Sequence, residues 1–192
     1  MSNPARTPAV TFIPVKAIIM GVAGCGKSSL AKELSEASSW TFIEGDAFHS
    51  DANRALMKAG TPLTDDDRYD WLVSLGDALA RNDTGAAMTC SALKKQYRDL
   101  LRKHVANLRF VFLDVTYSES LQRVKARGNG HFFNPALVKS QFATLERPTS
   151  ESDVLVLDAS LPLSTLIDLA SDWLLHDLFG AQKLSLESEV VK

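Results

Sequence analysis

The stretch from Gly21 to Ser28, GVAGCGKS, carries the spacing G-x-x-x-x-G-K-[ST] in full. Glycines in such a segment let the backbone wrap closely and aim its N–H groups at phosphate oxygens. The lysine reaches β- and γ-phosphates, and the hydroxyl after it helps to hold Mg²⁺. Gly21, Val22, Ala23, Gly24, Cys25, Gly26, Lys27, Ser28 and Ser29 are therefore the expected cradle for a nucleoside triphosphate, with Lys27 catalytic and Ser28 on the metal. The pattern specifies a phosphate donor and leaves the acceptor open.

Residues suited to an acceptor lie further along. Glu44-Gly45-Asp46 closes the apolar run WTFIEGD, and Asp46 there can orient or deprotonate a hydroxyl, or hold Mg²⁺ through water. Glu44 is the weaker candidate of the two. In His49-x-x-x-Asn53-Arg54 the histidine and asparagine fall one helical turn apart. That trio either binds hydroxyls and an anion, or caps and decorates a helix. Thr64-Asp65-Asp66-Asp67-Arg68 places acids where a helix starts, which dipole complementarity explains, with Arg68 free to pair with any of them. Ser91, Lys94, Tyr97 and Arg98 follow another apolar run, AAMTC, where many P-loop ATPases carry an acidic metal ligand. Cations in that place suit an anionic substrate. Arg123 and Arg127 share one helix face and lead into Gly128-Asn129-Gly130-His131, a segment able to hinge. Arginines beside a hinge fit a lid over about 123–134 that meets the charge on a migrating phosphoryl group, with Arg127 ahead of Arg123.

The elements that must hold these groups alternate. Apolar, β-branched runs at 15–20, 40–46, 86–91, 108–115 and 153–160 read as strands. Helical spacing covers 28–38, 51–59, 66–82, 93–104, 118–128, 134–146 (opened by an Asn-Pro cap pair) and a last stretch from about 166. Near-continuous apolar strands separated by helices predict an α/β domain with a parallel sheet covered on both faces. Ligands in such sheets bind beyond the carboxyl ends of the strands, where every candidate above falls. The expectation is one domain over 1–192, with a core of about 15–178 and loose tails at 1–14 and 181–192.

Composition narrows the classes further. At 192 residues with 45% hydrophobic and 23% charged residues, the chain has the make-up of a globular domain with a full core. A net charge of −2 gives no electrostatic reason to bind nucleic acid or an anionic membrane. No apolar run approaches the roughly 20 residues that span a bilayer, and the first fourteen residues lack a signal core. Two cysteines, Cys25 and Cys90, make neither a disulfide framework nor a metal signature, so a reducing, cytoplasmic setting is expected.

Taken together, GVAGCGKS, EGDAFHSDANRALMKAGTPLTDDDRYDWL, CSALKKQYRDLLR and RVKARGNGHF resemble the gluconate kinases of the thermoresistant type, from about residue 17 to 175. The resemblance implies a three-layer P-loop kinase fold like that of shikimate and adenylate kinases, with a five-stranded parallel sheet, helices on both sides and a lid. It implies transfer of the γ-phosphoryl of ATP, with Mg²⁺, to the 6-hydroxyl of D-gluconate, for the pentose phosphate route, by a homodimer. It carries Asp46 over as the acid that meets acceptor and metal. His49, Asn53, Arg54, Ser91, Lys94 and Arg98 become acceptor-binding, and Arg127 and His131 lid residues. Cys25 stands where serine is more usual, and Gly128-Asn129-Gly130 suggests a looser lid turn. Other classes fit less well. A GTP-reading switch would need N-K-x-D and D-x-x-G motifs, a shikimate site D-x-D in place of E-G-D, and a nucleoside monophosphate site a richer arginine cluster.

Overall fold

The computed structural model describes residues 14–126 and 134–189. Five strands, β1 (Lys16–Met20), β2 (Thr41–Ile43), β3 (Ala86–Thr89), β4 (Arg109–Asp114) and β5 (Val154–Asp158), form one parallel sheet in the order β2-β3-β1-β4-β5. Around it lie α1 (Lys27–Ser38), α2 (Asp51–Lys58), α3 (Asp65–Ala80), α4 (Lys95–His104), α5 (Tyr117–Ala126), α6 (Leu137–Thr144) and α7 (Leu163–Glu189). This is the α/β arrangement expected, a sheet between two helical layers.

The strand period sorts β1 to both layers. Ala17 and Ile19 join a core with Leu30 and Leu34 of α1 and Leu166 and Ala170 of α7. Ile18 and Met20 point the other way, into a core with Trp71, Leu72 and Leu75 of α3 and Leu101 of α4. Alternate residues of a strand face opposite sides, so a central strand buried on both must be apolar throughout. A third, small cluster of Met57, Leu63 and Leu137 joins α2 and the α2–α3 loop to α6.

Two boundaries depart from the sequence reading. Asn134 does not cap a helix directly: its Oδ1 accepts from the Ala136 N–H at 2.9 Å, a local turn, and α6 begins only at Leu137. At the other end α7 continues to Glu189, well into the stretch expected to be a loose tail. The apolar spacing used to delimit that helix stops before its backbone does. Elsewhere the predicted strands and helices are found within a few residues of their expected bounds.

Candidate active site

The phosphate loop leaves β1 at Gly21 and enters α1 at Lys27. Gly24 has φ 77° and lies so close to α5 that a Cβ would stand 2.8 Å from the Ser120 carbonyl oxygen, so both conformation and space require glycine there. Gly26 occupies the N-cap of α1 with no side-chain capping bond and no acid in the first turn, which leaves the helix's first N–H groups for an anion. The Lys27 ammonium donates to the Val22 carbonyl at 3.0 Å across the mouth of the loop. Cys25 and Val22 are buried beneath it.

A cavity of about 650 Å³ opens over this loop. Ala23, Gly24, Gly26, Lys27 and Ser28 form its donor end, while Glu44, Asp46, His49, Arg68, Trp71 and Ser91 line the rest. The turn that carries Asp46 is pinned by its neighbours. The Gly45 N–H donates to Thr89 Oγ1 at 3.0 Å, the Trp71 indole N–H donates to the Gly45 carbonyl at 2.9 Å, and the Thr89 hydroxyl donates to Glu44.

His49 is 6% exposed and stacks on Trp71 with ring centroids 4.1 Å apart. Burial, and then the guanidinium charges of Arg68 and Arg54, pull its pKa down to about 4, so the ring is neutral at physiological pH. Its Nε2 lies 4.0 Å from Asp46 Oδ1, and its Nδ1 is buried with no hydrogen-bond partner among the described residues. An orphaned polar atom on a cavity wall is where a ligand hydroxyl would bond. Among the described residues Arg68 makes its hydrogen bonds through Nη1, to the carbonyls of Leu63 and Thr64. Burial pushes the Cys90 thiol, behind this wall, up to about 12, which makes it inert.

Of the expected acceptor residues that are described, the cavity gathers Asp46, His49 and Ser91, while Asn53, Arg54, Lys94 and Arg98 are not among its lining. Arg98 is 1% exposed, with Nε 3.0 Å from Glu151 and Nη1 donating to the Ala92 and Leu93 carbonyls. It holds α4 to the segment before β5. Asn53 donates to the Asp67 carbonyl at 2.7 Å and ties α2 to α3. Arg54 donates to the His49 and Ala47 carbonyls, bracing the turn from behind. Lys94 pairs with Asp65 at 2.7 Å, and this hydrogen bond, followed by that from Tyr97, lowers the Asp65 pKa to about 2. Arg123 donates to the Ala159 carbonyl at 3.1 Å. Asn53, Lys94, Arg98 and Arg123 are thus claimed by partners distant in sequence, and Arg54 by carbonyls five and seven residues before it. Arg127 and His131, with Gly128-Asn129-Gly130, lie outside the described residues.

Arg68, Trp71 and Gln141 are wall residues that sequence reasoning did not single out. Arg68 and Trp71 are one turn apart at the start of α3, a spacing that is the available signal, while the acids beside Arg68 give it a local ion-pair reading. Gln141, a neutral residue within α6, carries no signal.

A phosphate loop at the end of a central parallel strand, facing a carboxylate at the end of β2, defines a P-loop kinase. Residues 17–148 match a family model described as an AAA domain. The thermoresistant gluconokinase of Escherichia coli is 42% identical over 154 residues, covering 78% of this chain and 87% of its own. Gluconobacter oxydans gluconokinase is 42% identical over 141 residues, with coverage of 72% and 79%. A crystal structure of a gluconokinase from Sinorhizobium meliloti superposes with TM-score 0.78 at 39% identity, over 91% of this chain and 98% of that one. The chain belongs to the gluconokinase family.

Proposed function

We propose that the protein transfers the γ-phosphoryl group of ATP to the 6-hydroxyl of D-gluconate. The observation that carries this reading is one cavity holding Lys27 and Ser28 at one end and Asp46, His49 and Arg68 at the other. The names of its relatives identify the acid. Arg68, with a second guanidinium nitrogen uncommitted among the described residues, suits a carboxylate. Buried, neutral His49 suits a hydroxyl. Asp46 orients the attacking hydroxyl and takes its proton; the helix-end N–H groups and Lys27 hold the phosphates.

The donor set fits Mg²⁺. Ser28, Asp46 and Glu44 present hard oxygens to the same cavity, and Mg²⁺ binds by one or two protein oxygens alongside substrate phosphates. When bound it would neutralise phosphate charge, with Ser28 and Asp46 as its holders. The lid role of Arg127 and His131, assembly as a homodimer, a cytoplasmic setting and a place in the pentose phosphate route belong to the same reading. They are supported by the family resemblance alone, and sedimentation velocity tests the dimer.

An ADP-release assay with gluconate, other sugar acids, shikimate and nucleoside monophosphates tests the whole. Turnover is expected with gluconate above all others. Silence with gluconate beside activity on another acceptor would overturn the substrate and leave the kinase.

A further inference from the structure

The Ala23 peptide is clamped on both sides. Its N–H donates to Gln141 Oε1 at 2.6 Å, and its carbonyl accepts from the Ser120 hydroxyl at 2.7 Å. A backbone N–H can only donate, so the amide atom facing it must be oxygen. The NH₂ end of Gln141 is thereby turned away from the loop backbone, and it has no hydrogen-bond partner among the described residues. Gln141 lines the same cavity as Lys27, Ser28 and Asp46.

The rest of α6 fixes where this amide stands. Val138 is buried, Leu137 packs with Met57 and Leu63, and Phe142 meets Tyr117 edge-on at 5.4 Å. The strand end of the phosphate loop leans toward the acceptor side, since the Gly21 N–H donates to the Ser91 carbonyl at 3.3 Å and Ser91 lines the cavity with Asp46. The helix end, from Gly26 to Ser28, offers the N–H groups that cradle the inner phosphates. A donor anchored on Ala23 therefore faces the terminal phosphate, between the loop and the acceptor.

We propose that Gln141 reads the γ-phosphate: with its oxygen tied to the loop, its NH₂ group donates to a γ-phosphoryl oxygen and so separates triphosphate from diphosphate. Tying one end of the side chain in advance removes most of the ordering cost of that contact. The inference rests on a nucleoside triphosphate occupying the loop and is independent of which acceptor is used.

Calorimetric titration of the full chain with Mg²⁺-ADP and with a non-hydrolysable Mg²⁺-ATP analogue tests it, on the wild type, Gln141→Glu and Gln141→Leu. Glutamate still accepts from the Ala23 N–H, so it preserves the loop anchor while replacing the donor with a negative charge. The expected result is ADP affinity within about twofold of wild type in both variants. The analogue should weaken by about tenfold with leucine, the scale of one hydrogen bond to a charged group, and by more with glutamate. Equal weakening of both nucleotides would show a merely structural role and overturn the proposal, as would no change in either, or a wild type that binds neither. A wild type that separates the two nucleotides through Gln141 but leaves gluconate untouched would sustain this inference while the acceptor assignment fails.

Discussion

Asp46 owes its place to the residue before it. A Cβ on Gly45 would stand 1.9 Å from the Thr89 carbonyl oxygen, so only glycine lets the turn press against β3 and bring the carboxylate to the cavity wall. Asp46→Ala and Lys27→Ala are each expected to lower kcat by about 10²–10³, the usual cost of one group that acts on transition-state charge. Steady-state rates at saturating gluconate check this, and normal turnover by Asp46→Ala would remove it from the mechanism. His49 sets a pH dependence. With its pKa near 4 in the fold and 6.5 as the ordinary value, the unfolded chain binds more protons between those limits. Stability therefore falls as pH drops from about 6.5 toward 4, by on the order of 3 kcal/mol at the lower end. Melting temperatures of wild type and His49→Gln across that range should converge at low pH; parallel curves would exclude the titration.

At the scale of elements, charge is as much mortar as chemistry. Arg98 on α4 is fully buried against Glu151, which also takes Arg102 Nη2 at 2.6 Å. Glu151→Ala leaves a buried guanidinium without its carboxylate, a loss of about 3–5 kcal/mol expected in urea unfolding. The double variant Arg98→Met with Glu151→Leu should recover most of it, because an apolar pair carries no desolvation penalty. The same pair shows what was legible in the sequence and what was not. Strands and the phosphate loop could be read because their signals are contiguous: an apolar run, or glycines and a lysine at set spacing. Arg98 reads from the sequence as a substrate ligand because composition reveals a cation near a strand end but not the carboxylate of Glu151 that reaches it. The Asn53 contact is hidden in the same way, since its partner is the Asp67 carbonyl brought close by the packing of α2 on α3, whereas Arg54 bonds carbonyls only five and seven residues before it. Arg68 escaped because a helix-start arginine among acids already had a sufficient explanation.

Over the whole molecule, the sheet order decides how the site is put together. The β1 strand pairs with β3 on one side and β4 on the other, in the registers Lys16↔Ala86 and Ala17↔Arg109. The donor end of the cavity therefore comes from the first part of the chain, and its neighbours from parts made much later. Among the described residues no helix is long and apolar enough to cross a membrane.

The clamp on Ala23 has a consequence for synthesis on the ribosome. Its carbonyl waits for Ser120 and its N–H for Gln141, 97 and 118 residues downstream. The motif that announces nucleotide binding is thus translated early and shaped late. A nascent chain that has exposed only the glycines and Lys27 holds a loop without the two side chains that set its peptide plane. In that interval the signature is complete as text but not yet assembled as a receptor.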